Sequence, residues 1–151
     1  MSANYKPTAH PSVIPYLVLS DADRELDFVK AVFGAKEMRV SRDPQGKIGH
    51  AEIRIGDSVV MLGQSSEQWP PSPAAIYVYV PDADAAYERA LKAGAASTWA
   101  PADQPYGDRN AGVKDSNGMQ WWIATHLENV SEQEEARRRA AAAEKSRPTL
   151  A

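Results

Sequence analysis

One internal repeat restricts this chain more than any other feature. Residues 14–23 (IPYLVLSDAD) align with residues 75–84 (AIYVYVPDAD) at an offset of 61. Each stretch reads as an apolar strand, then Asp-Ala-Asp, then a helix, roughly residues 22–33 and 83–93. Asp at each helix start accepts otherwise unpaired N–H groups, and Gly34 and Gly94 suit left-handed caps. The offset continues into two hairpins. Residues 50–55 and 58–62 flank Gly56-Asp57, and residues 109–115 and 119–124 flank Asn117-Gly118. Met61 thereby aligns with Trp122. A repeat that keeps strand, helix and hairpin in order marks two copies of one supersecondary unit.

The expected organisation is a first module over residues 10–64, a polar, Pro-rich linker over 65–73, a second module over 74–130, and a C-terminal helix and tail over 131–151. Ser131 and Glu134 form a capping box ahead of a run of strong helix formers, with residues 146–151 expected to be disordered. A net charge of -3 without a basic, aromatic-studded patch speaks against nucleic acid as a partner. The absence of cysteine removes disulfides, thiolate metal sites and a thiol nucleophile. No apolar run is long enough to span a bilayer, and the first ten residues lack an apolar leader core, so a cytoplasmic protein without a membrane partner is expected.

Side chains alternate between the faces of a strand. Val13, Leu17 and Leu19 suit the helix side of the first strand, leaving Ile14, Tyr16 and Val18 on the concave face. The repeat puts Ala75, Tyr77 and Tyr79 on the equivalent face. Two-residue turns would set Glu52 opposite Met61 and Val113 opposite Trp122. The concave face then receives His50, Glu52, Arg54 and Met61 in the first module. In the second it receives Arg109, Ala111, Val113, Gln120, Trp122, Ala124 and His126. Trp121 has the opposite parity and points at the helix, Asp108–Arg109 reads as a structural salt bridge, and Trp99 and Tyr106 fall in the preceding loop, placed to close over the cup.

Several of these stretches resemble the vicinal oxygen chelate superfamily, which contains glyoxalases, bleomycin-resistance proteins and dioxygenases. They are residues 14–23, Phe33-Gly34-Ala35, residues 48–52, residues 55–58, Tyr106-Gly107-Asp108-Arg109 and residues 122–126. The resemblance covers roughly residues 10–130. It implies an α+β fold of two tandem βαβββ modules. Their mixed sheets make a partly open cup, with helices on the outer face and the extra helix at the C-terminus. It also implies a homodimer, with the cup closed either within one chain or across the dimer.

Enzymes of this family hold a metal on the concave face with four His, Gln or Glu side chains from the first and last strands of each module. Carried over by position, those ligands fall on Ile14, Met61, Ala75 and Trp122. None is a nitrogen or oxygen ligand, and a thioether does not suit the metals concerned. No metal and no other cofactor is therefore expected. A non-standard metal site would draw on His10, His50, Glu52 and His126. The expected ligand-binding residues are Tyr16, His50, Glu52, Met61, Tyr77, Tyr79, Trp99, Tyr106, Arg109 and Trp122, with Arg109 orienting an anionic group. The function implied is stoichiometric sequestration of a bulky aromatic antibiotic or metabolite. The alternatives are a metal-free isomerase or lyase using His50, Glu52 or His126 as general base or acid, or a dimer with no small ligand.

Overall fold

The computed structural model describes residues 4–148. The first module runs β1 (Tyr16–Leu19), α1 (Ala22–Phe33), β2 (Lys36–Arg42), β3 (Ile48–Ile55) and β4 (Ser58–Gln64). The second repeats it as β5 (Ala75–Tyr79), α2 (Ala83–Lys92), β6 (Ala96–Asp103), β7 (Asp108–Lys114) and β8 (Gln120–His126), and α3 (Glu132–Lys145) follows. Each module is a four-stranded mixed sheet, ordered β1-β4-β3-β2 and β5-β8-β7-β6. The fold is α+β, with both sheets open. No helix among the described residues is long and apolar enough to cross a membrane.

Local chemistry accounts for the helix limits. Asp21 caps α1 by accepting from the Arg24 N–H, and Asp82 caps α2 by accepting from Ala85. Gly34 ends α1 at φ 63°, and its N–H returns to the Lys30 carbonyl. Ser131 accepts from the Glu134 N–H to start α3. That helix buries no residue and is held by ion pairs such as Arg138–Glu128 (2.6 Å). Of residues 146–151, expected to be disordered, Ser146 caps the helix and the Arg147 N–H returns to the Glu144 carbonyl, while 149–151 lie outside the described residues.

The offset of the repeat survives in the parallel ladders. Tyr16 pairs with Met61, and Tyr77 pairs with Trp122. Glu52 lies opposite Met61, as a two-residue turn at Gly56-Asp57 requires. The second hairpin departs from its expected register. Gly112, not Val113, lies opposite Trp122, and Val113 pairs with Trp121. The turn contains three residues, Ser116-Asn117-Gly118, closed by a hydrogen bond from the Asp115 N–H to the Met119 carbonyl. Gly118 supplies the positive φ (82°) that such a turn needs. One added residue exchanges the faces of β7. Ala111 and Val113 are therefore in the helix-side core, fully buried, instead of on the concave face.

The helix faces bury Leu17, Leu19, Leu26, Val29, Ile53 and Leu62 in the first module, and Ala86, Ala90, Val113 and Ile123 in the second. Val13 does not join them; it is 84% exposed, because the chain before β1 has left the sheet. The modules share one core where α1 packs on α2. Trp121, with no exposed surface, lies 6.3 Å from the Phe28 ring and 5.0 Å from the Phe33 ring. Truncating such a side chain costs about 3–5 kcal/mol.

Beside this aromatic cluster the second hairpin plugs into the start of α1. Asn117 accepts from the Asp21 N–H (2.9 Å) and donates to the Asp21 carbonyl and to Glu25 Oε2 (2.8 Å). Asp115 accepts from the N–H groups of Asn117 and Met119 and from the Trp121 indole (2.8 Å). Glu25 is fully buried next to it, with no donor to Oε1 among the described residues. Burial, and after it the neighbouring Asp115 carboxylate, push the Glu25 carboxyl up to about 9, so the folded protein carries it as the neutral acid.

The folded state keeps this proton where the unfolded chain has released it. The stability it contributes is fully present below the ordinary value of 4.5 and is lost as pH rises through about 9. Thermal unfolding followed by circular dichroism should show the melting temperature falling from about pH 6 to about pH 9. Glu25→Gln, which cannot ionise, should flatten that profile and melt higher than the parent at the alkaline end. Superimposable profiles would contradict a buried neutral Glu25.

Candidate functional site

The face of each sheet not covered by its helix is the cup. In the second sheet a buried carboxylate organises it. Asp108, 2% exposed, accepts from the Tyr77 and Tyr79 hydroxyls at Oδ2 (2.8 Å each). Its Oδ1 takes a hydrogen bond from His126 Nδ1 (2.8 Å). Burial alone would raise the Asp108 carboxyl, but the three donors outweigh it and the net shift is downward. The Asp108 contact, with help from Asn129, moves His126 upward, towards imidazolium. The Tyr77 hydroxyl is raised mainly by desolvation, and that of Tyr79 mainly by its bond to Asp108. Both tyrosines therefore stay protonated, and their ring planes meet edge to face at 5.3 Å.

Next along β7 on the same face, Asn110 is 5% exposed. Its Nδ2 donates to the Tyr106 hydroxyl (2.8 Å) and, at 3.5 Å, to that of Tyr77. Its Oδ1 has no partner among the described residues. Gly112 follows, and a Cβ there would meet Trp122 at 2.8 Å and Thr98 Oγ1 at 2.6 Å. The missing side chain is what lets the indole lie across the strand. Together Tyr77, Trp99, Gln104, Tyr106, Asn110 and Trp122 line a cavity of about 280 Å³. The Arg139 guanidinium of α3 sits 5.9 Å from the Tyr106 ring, so the C-terminal helix backs this wall.

The cup of the first sheet has different chemistry. Glu52 accepts from His10 Nε2 (2.9 Å) and meets His50 Nε2 at 3.5 Å. His10 holds the Glu52 carboxyl below the ordinary range against an opposing desolvation effect, with His50 adding to the shift. The Tyr16 hydroxyl lies 3.1 Å from His50 Nδ1, and the two rings stack at 5.6 Å over Gly63. The segment before β1 crosses this face, tied by Arg54 to the Ala9 carbonyl. Beneath it, His10, Ile14, Arg39, Glu52 and Met61 help line a cavity of about 380 Å³.

The expected site residues thus divide between two surfaces. Tyr16, His50, Glu52 and Met61 gather on the first sheet; Tyr77, Tyr79, Trp99, Tyr106 and Trp122 gather on the second. Arg109 joins neither. The register shift turns it to the helix side, where it pairs with Asp84 (3.0 Å) and Asp103 (3.0 Å). It is not placed to orient a ligand in the cup, and the expected Asp108–Arg109 pair does not form. Trp99 belongs to strand β6 instead of a loop. Asp108, Asn110 and Gln104 escaped the sequence argument; the three-residue turn signalled by Asp115, Asn117 and Gly118 would have put the first two in the cup.

At the positions corresponding to the family's metal ligands, Ile14 and Met61 line the first cavity and Trp122 the second, while Ala75 pairs with Gln120. An indole N–H is a donor only, a thioether is a soft ligand, and the other two side chains are hydrocarbon. This donor set does not fit the divalent metals of the family. Among the described residues, no group of three or more His, Asp or Glu side chains is arranged to hold a metal ion.

Comparison with known proteins places this geometry. The chain is 36% identical over 132 residues to an uncharacterized protein of Mycobacterium bovis, covering 80% of this chain and 87% of that one. TioX from Micromonospora sp. ML1 superimposes with a TM-score of 0.66 at 28% identity, over 78% of this chain and 99% of TioX. The fosfomycin resistance protein FosX from Mesorhizobium loti shares the fold, with a TM-score of 0.57 at 21% identity over 83% of this chain and 97% of FosX. The model of the Glyoxalase/Bleomycin resistance protein/Dioxygenase superfamily matches residues 10–123, and the chain belongs to that superfamily.

Proposed function

We propose that the protein is a metal-independent small-molecule-binding protein of the glyoxalase/bleomycin-resistance type. It would act in the cytoplasm by sequestering a bulky aromatic antibiotic or metabolite. The observation that carries this reading is Trp122. An indole occupies a position where metal enzymes of the family keep a ligand, and it forms a cavity wall with Trp99 and Tyr77. Flat π-faces in a concave, largely apolar pocket bind planar molecules by stacking and by burial of apolar surface. The unsuitable donor set at Ile14, Met61, Ala75 and Trp122 supports binding without a metal.

Val13, Trp69 and Tyr79 leave large apolar surface on a single chain, which supports a homodimer in which a second copy covers part of it. Sedimentation equilibrium reading the mass of one chain would contradict that assembly. A second functional reading, an acid–base enzyme, draws on the His10–Glu52–His50 cluster. Its signature is turnover that disappears in Glu52→Gln while binding at the aromatic cavity persists.

Intrinsic tryptophan fluorescence, titrated with planar aromatic antibiotics and metabolites including acridone, tests the main reading. At least one of them should quench saturably, and Trp122→Ala should raise its Kd about ten- to a hundredfold, the loss of a buried aromatic face. A panel that neither quenches nor shifts the melting temperature would overturn it.

A further inference from the structure

We propose that the cavity of the first sheet, about 380 Å³, is a second ligand site that takes an aliphatic carboxylate, Arg39 holding the carboxylate and Ile14 and Met61 the hydrocarbon. It is separate from the aromatic cavity of the second sheet and stands whether or not that cavity binds a ligand.

A bulge in an edge strand puts Arg39 there. Glu37 pairs with Ile53 and Arg39 with Glu52, so Met38 is an extra residue on β2 with no counterpart on β3. Ile53 is buried on the helix side, and Glu37 on that side reaches Lys30 of α1 (3.1 Å). Strict alternation would put Arg39 on the helix side as well. The extra residue reverses the parity, and Arg39 joins Glu52 on the concave face, where both line the cavity.

The charges in this cavity favour an anion. Arg39 lies opposite Glu52 in the ladder, yet among the described residues it forms no ion pair. Glu52 is taken by the imidazoles instead, with Oε2 2.9 Å from His10 Nε2 and Oε1 3.5 Å from His50 Nε2. Lys6 enters the same cavity from the segment before β1 and donates to the His10 carbonyl (2.7 Å), a partner that leaves its charge uncompensated. Two cations therefore stand against one carboxylate, and the lining is net positive. Arg39 is exposed, so a ligand can reach it, and a guanidinium matches a carboxylate in a two-bond fork. The apolar lining is chiefly aliphatic, from Ile14, Met61 and prolines of the segment before β1. A flexible thioether beside a branched hydrocarbon adapts to an alkyl chain, which gains by leaving water.

Octanoate and octanamide share one chain and differ in the charge of the head. Isothermal titration calorimetry of the intact protein should show octanoate binding saturably and about tenfold tighter than octanamide, the value of a hydrogen-bonded charge pair. Arg39→Gln should reduce that preference to within about twofold while the weaker, chain-driven binding remains. Equal affinities in the parent protein would overturn the anion assignment. A preference that persists in Arg39→Gln would overturn the role of Arg39. Absence of binding by both compounds would overturn the site altogether, and would leave the aromatic cavity, read by tryptophan quenching, untouched. The comparison in the parent protein decides the anion preference even if Arg39→Gln does not fold.

Discussion

Asp115 determines which side chains the second module presents in its cup. Its carboxylate takes the N–H groups of Asn117 and Met119 and the Trp121 indole, which holds the hairpin in a three-residue turn. That turn puts β7 one residue out of step with its counterpart β3. Glu52 faces Met61 in the first sheet, and Gly112 faces Trp122 in the second. Because strand faces alternate, one residue decides everything that follows. Asp108 and Asn110 enter the cup, Arg109 leaves it, and the glycine opposite Trp122 gives the indole room. The same turn carries Asn117 into the start of α1, so the register of the site and the docking of the modules depend on one acidic side chain.

Much of the architecture was legible in the sequence. The 61-residue repeat is preserved in the Tyr16–Met61 and Tyr77–Trp122 pairs, and α1 has the limits its Asp and Gly signals imply. Apolar alternation and turn chemistry act locally, so they can be recognised without knowing the fold. The site was less legible. Asn-Gly is compatible with either a two- or a three-residue turn, and the choice depends on whether the preceding Asp folds back on the turn. The edge strands β2 and β6 were also obscure: both are largely exposed, and neither has a clean apolar alternation to announce it. The burial of Glu25 cannot be seen in a sequence at all, since its partners Asp115 and Asn117 lie some ninety residues away.

The two modules keep one backbone plan and have diverged in chemistry. Where the first sheet presents His50, Glu52 and Met61, with His10 reaching in, the second presents tyrosines, tryptophans and an amide. The acidic side chain of the first cup is held by histidines, whereas that of the second, Asp108, is hidden beneath phenolic hydroxyls and serves to hold their rings. Rings locked in this way form a rigid aromatic wall with little conformational freedom left to lose. Within the superfamily one backbone plan can therefore carry different chemistry, according to what a few strand positions supply.

The central claim is that this cup binds without a metal. The most direct measurement is elemental analysis of the purified protein combined with ligand titration before and after treatment with a chelator. The account predicts far less than one equivalent of divalent metal and unchanged affinity after chelation. Near-stoichiometric, tightly held metal, with binding that disappears on its removal and returns with its addition, would contradict it.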